Sequence, residues 1–245
     1  MEPPSVSDRG EPAPAPPAKV AEALEVLGSL RRTTVEGTIY LLRQRAAGGA
    51  GQTIALVVAI LNRMAEASAS VELLTSTGRW RDAAVLALVL AELRLDLAYI
   101  AQRPDRAGTW LAHQEEGRKP WRVGAQIREL FTEEVERNAE FGNYRHLSMI
   151  KHANPASGVL GFDVHASAEG LGFNGNDIDV SMSLACLAYA GLCLRSATES
   201  AAELVQDFGL NTTSMLEEVG RWHEALQLVL SDHVKAEILE LFGSQ

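Results

Sequence analysis

Val85-Leu86-Ala87-Leu88-Val89-Leu90-Ala91-Glu92-Leu93-Arg94-Leu95-Asp96-Leu97-Ala98-Tyr99-Ile100 is the stretch that decides the fold. Apolar side chains surround its axis at helical spacing. A helix apolar on nearly all sides belongs at the centre of a bundle, not on its surface. Gly78 precedes it, and Pro104 forces a break after it. Glu92 and Asp96 stand at i and i+4, so they share a face and repel each other. Buried carboxylates need donors, or one must take up a proton. Cationic or donor-rich groups are therefore expected opposite them.

Helical spacing continues on both sides. Ala23, Leu27, Leu30, Val35 and Leu41 mark a first helix that Gly48-Gly49 ends. The pattern predicts further helices over about 52–76, 80–102, 104–117, 123–139, 141–153, 177–208 and 214–242. Ser214-Met215-Leu216-Glu217 reads as a capping box for the last one. Residues 156–176 are glycine-rich and alternate in polarity, which predicts a short hairpin or irregular excursion. The fold class is all-α, a bundle of about eight helices. Leu and Ala dominate while aromatics are only 6%, a bias toward helix.

Residues 1–17 hold six of the nine prolines and read as a disordered tail, which cannot bury enough apolar surface to offset its ordering entropy. Residues 18–245 read as a single helical domain. The net charge of −10 argues against non-specific adhesion to nucleic acid or anionic membrane. A nucleic-acid role needs a local basic site. The start, Met-Glu-Pro-Pro, has no signal-peptide pattern. The apolar stretch 83–101 carries Glu92, Arg94 and Asp96, and 180–194 is short for a bilayer. No membrane association is expected, and a cytoplasmic location is. Cys186 and Cys193 lie two turns apart on one helix. Their Cα separation of roughly 10 Å is too long for a disulfide, so they read as small buried hydrophobes.

The densest run of Arg, His and Lys near a helix end is Tyr144-Arg145-His146-Leu147-Ser148-Met149-Ile150-Lys151-His152-Ala153-Asn154-Pro155. In a continuous helix Arg145 and His152 share a face, with Ser148 and Met149 between them. Arginine clamps phosphate through its planar fork, and histidine moves protons near neutrality. Together they suit phosphodiester cleavage without metal. A purely structural alternative makes Arg145 and His152 the partners of Glu92 and Asp96, and the two readings are compatible. A metal-dependent reading would use Glu92, Asp96 and a histidine, but the Glu-x-x-His repeats of a two-metal carboxylate bundle are absent.

Arg145-His146-(five residues)-His152 resembles the signature of the HEPN superfamily, all-helical domains whose motif is an Arg, a polar residue and then a His. Tyr144, Leu147, Ser148 and His152 also resemble a Tyr-x-x-Leu-Ser-x-x-x-His segment of an uncharacterised bacterial HEPN-like family. The resemblance covers about residues 78–206. It implies a metal-independent endoribonuclease, a toxin or phage-defence effector, that acts on RNA as a homodimer and needs no cofactor. It implies that Arg145 stabilises charge on the phosphate, that His152 is the general acid or base, and that His146 fills the polar position, with Glu92, Asp96, Tyr144 and Ser148 in support and no metal. The alternative class is a non-catalytic helical interaction or sensor module with a buried polar cluster.

Among the remaining residues, Trp80, Trp110, Trp121 and Trp222 read as packing anchors, His113 as a surface histidine, and Arg118 to Arg122 as a solvated basic loop.

Overall fold

The computed structural model describes residues 15–46, 51–116, 120–152, 164–167, 170–173, 180–206 and 208–231. Within them the chain forms eight α-helices, one 3-10 turn and one hairpin. The helices are α1 (Ala18–Ala46), α2 (Gly51–Ser76), α3 (Trp80–Gln102), α4 (Ala107–Glu116), α5 (Val123–Leu130), α6 (Glu134–Lys151), α7 (Val180–Gln206) and α8 (Thr213–Ser231). The 3-10 turn, Pro104–Arg106, joins α3 to α4. Strands β1 (Val164–Ser167) and β2 (Gly170–Phe173) pair antiparallel, with His165 opposite Gly172. The protein is an all-α bundle, as the periodicity predicts.

Helix α3 packs on α2 and α7, and also on α5 and α6. Short connections make α1, α2 and α3 sequential antiparallel neighbours. Leu88, Leu90, Ala91 and Leu97 of α3 are buried together with Leu187, Ala190 and Leu194 of α7 in one continuous core. Small residues at these positions let helices approach closely. A Cβ on Gly191 of α7 would overlap the Leu226 side chain of α8.

The α2–α3 corner is a Schellman motif. Gly78 takes φ 73°, its N–H reaches the Thr75 carbonyl at 3.1 Å, and the Arg79 N–H reaches that of Leu74 at 2.8 Å. Only glycine adopts that left-handed conformation without strain, so the helix ends there.

Two sequence expectations change. The predicted 123–139 helix breaks at residues 131–133, where Phe131 and Glu133 are extended. Arg137 Nη1 donates back to the Thr132 carbonyl at 3.0 Å, and Glu134 and Glu136 complement the positive end of the new helix. Ser214 is not the cap of α8. The Asn211 side chain accepts the Thr213 N–H at 3.1 Å, one residue before the proposed box. Helix α7 lies within the predicted 177–208 span, and α2 and α7 are both long and apolar enough to cross a membrane by length and composition alone. About half of each such window is buried inside this bundle (56% and 50%). The predicted tail over residues 1–14 and the last helix beyond residue 231 lie outside the described residues.

Candidate functional site

Helix α6 is amphipathic, and its two faces divide the site. Glu140 and Leu147 are buried and Tyr144 is half-buried, a spacing of four and three residues that lays one stripe on α3. Tyr144 Oη donates to Glu92 Oε1 at 3.1 Å. Burial and the adjacent Glu92 carboxylate push the phenol up to about 12, so it stays a donor. The other face carries Arg145 and His152, both exposed. Seven residues separate them, about 10 Å along the axis. His152 caps the helix, its N–H reaching the Ser148 carbonyl at 3.1 Å. Ser148 and His146 are half-buried.

Of the predicted site residues, the structure joins Tyr144 with Glu92 by a hydrogen bond. Arg145 and His152 form no hydrogen bond or ion pair with Glu92 or Asp96 among the described residues. They lie more than about a third of a turn round α6 from the stripe that faces α3. The expectation that they neutralise the two carboxylates is overturned.

Asp96 finds neutral donors instead. It is 4% exposed. Trp110 Nε1 donates to Oδ2 at 3.1 Å, while Trp121 Nε1 and Gln126 Nε2 donate to Oδ1 at 2.9 and 2.7 Å. The tryptophans read as packing anchors are therefore also the hydrogen-bond donors of a buried carboxylate. Tyr99 leans on Trp121 with ring centroids 5.0 Å apart. Among the described residues no group of three or more His, Cys, Asp and Glu side chains converges in a metal-binding arrangement, so the metal-dependent reading has no described cluster to use.

A second buried centre was not foreseen. Arg94 and Glu140 form an ion pair between α3 and α6, with both residues 6% exposed. Tyr189 Oη of α7 donates to Glu140 Oε1 at 3.4 Å, and Cys193 lies beside the pair. Burial pushes the Cys193 thiol up to about 12 despite the Arg94 cation, so it is an inert thiol. Burial, with Cys193 and Glu140 nearby, also raises the Tyr189 phenol. Arg94 Nε lacks a hydrogen-bond partner among the described residues. The available signal was Arg94 itself, a cation between Glu92 and Asp96 in a helix expected at the centre of the bundle.

Two histidines give the protein a pH response. Burial holds the His146 imidazole below its ordinary value. Burial, and then Arg195, do the same for His223, against opposing contributions from Glu199 and Glu224. The unfolded chain then binds more protons than the folded one below pH ~6.5, so stability is full above that value and falls with further acidification. A melting-temperature series from pH 7.5 to 5 is expected to decline below about pH 6.5, and to decline less steeply in His223→Gln.

Comparison with protein-family models, curated proteins and solved structures finds no match to this chain. The HEPN resemblance rests on the residues of the 144–152 segment and their spacing.

Proposed function

We propose that this chain is a metal-independent endoribonuclease of HEPN-like type whose reactive edge is the outer face of α6. The observation that carries the reading is the exposure of Arg145 and His152 on one face of a helix whose opposite face is locked to α3. The lock fixes the orientation of the pair, and exposure leaves both open to a phosphodiester. Arg145 holds the phosphate and stabilises the charge that develops on it. His152 takes the proton of the attacking 2′-hydroxyl or gives one to the leaving oxygen. Lys151 and His146 extend the local basic strip on an acidic body. Ser148 holds the helix end through its carbonyl, while Glu92 and Tyr144 position the helix. Asp96 holds α3 to Trp110, Trp121 and Gln126. A homodimer acting in a defence system and a cytoplasmic location belong to the same proposal.

The test is cleavage of mixed RNA by purified protein in EDTA. Wild type is expected to cleave, and His152→Ala to lose about 10²–10⁴-fold in rate. Arg145→Ala is expected to lose a similar factor. Both side chains are exposed, so both variants should melt like wild type. No cleavage by wild type, or equal cleavage by His152→Ala, removes the reading. The non-catalytic interaction module then takes its place. Its supporting observation is the exposure of large apolar side chains, Leu73 at 65%, Val135 at 82% and Leu228 at 73%.

A further inference from the structure

A groove of about 480 Å³ lies between α2, α3 and α4. That volume lies in the range of small-ligand sites. Its apolar surface comes from Ala59, Leu93 and Trp110, and its polar groups are Asn62, Arg63, Glu66 and His113.

The polar groups are held in place by the structure itself. Trp110 gives its indole N–H inward to Asp96, which fixes the ring. His113 packs edge-on against that ring at 5.0 Å, and its Nδ1 meets the Trp110 carbonyl. A carbonyl only accepts, so Nδ1 carries the proton of that contact. Asn62 Nδ2 donates to Glu66 Oε1 at 3.1 Å, which leaves Asn62 Oδ1 and Glu66 Oε2 as further acceptors. Arg63 and Glu66 stand at i and i+3 on α2, where opposite charges ordinarily pair. They form no ion pair with each other, and Arg63 has no charged partner among the described residues. The α2 wall of the groove therefore presents a carboxylate and a guanidinium on one helix face, with Asn62 beside the carboxylate and His113 on the α4 side.

We propose that this groove binds a small zwitterion, an α-amino acid with an apolar side chain. An ammonium group donates to the Glu66 carboxylate and to Asn62 Oδ1, neighbours on one face of α2. The Arg63 fork matches the ligand carboxylate. Leu93, Ala59 and Trp110 receive the side chain. A ligand with only one of the two charges satisfies only half of this wall. The site is independent of the proposed RNA chemistry on α6.

The experiment is isothermal titration calorimetry of the full chain with L-leucine, L-methionine and L-phenylalanine. Isoamylamine and 4-methylpentanoate serve as leucine analogues that each lack one charge. Saturable binding of at least one amino acid is expected, with leucine about tenfold or more tighter than either analogue. Arg63→Ala and Glu66→Gln are each expected to weaken amino-acid binding by a similar factor. Both residues are exposed, so their melting temperatures should match wild type. The proposal is overturned if none of the three amino acids binds saturably. It is also overturned if an analogue binds as tightly as leucine, or if an Arg63→Ala/Glu66→Gln double variant binds as wild type does.

Discussion

Asp96→Ala is expected to lower the melting temperature by roughly 10–20 °C, as read by circular dichroism. The change removes one carboxylate and strands three donors, the buried Trp110 indole and Gln126 amide and the half-buried Trp121 indole. Each stranded donor costs about 1–3 kcal/mol. Partial rescue by entering water brings the sum to about 4–6 kcal/mol, against a total stability of roughly 5–15 kcal/mol. For a chain of this size each kcal/mol moves the melting temperature by about 2–4 °C. Asp96→Asn should fall between the alanine variant and wild type. Its amide keeps one acceptor oxygen and turns a donor toward a donor. A melting temperature for Asp96→Ala within about 3 °C of wild type would contradict the geometry.

The Arg94–Glu140 pair makes a prediction of the opposite logic. Glu140→Ala leaves the Arg94 guanidinium buried without its counter-charge, and such broken pairs cost about 3–5 kcal/mol. The double variant Arg94→Met/Glu140→Leu removes both charges and keeps most of the volume. It is expected to recover at least half of that loss. Urea denaturation of the two single variants and the double variant measures the coupling directly. Additive losses would mean that the two groups are solvated separately, contrary to their burial between α3 and α6.

Much of this architecture was legible in the sequence. The ends of α3 followed from Gly78 and Pro104, because one residue permits a left-handed turn and the other forbids a continuing helix. Its central position followed from apolar residues on every side. The site was legible only in part. The argument that buried carboxylates need donors was sound, but it looked for cations. Asp96 is satisfied by two indoles and an amide, and a hydrogen-bond donor need not carry charge. Trp110 and Trp121 lie 14 and 25 residues away, and no periodicity links them to α3. The interruption at residues 131–133 was hidden because Phe131 and Thr132 are ordinary helix residues in isolation. That break starts α6 anew and brings Glu140 round to meet Arg94. Placed on one face by spacing alone, Arg145 and His152 are on one face, and the bundle leaves that face open.

The three donors on Asp96 come from different places: α4, the segment leading into α5, and α5 itself. Helix α4 reaches the main core through Ala107 and Trp110, while Val123 and Ile127 of α5 belong to a small separate cluster with Leu95. A single carboxylate oxygen pair thus acts as the hinge pin of the periphery. Amide protons of α4 and α5 should exchange with solvent as one group, earlier than those of α3 and α7. The bundle can then lift its outer helices together while its centre stays closed.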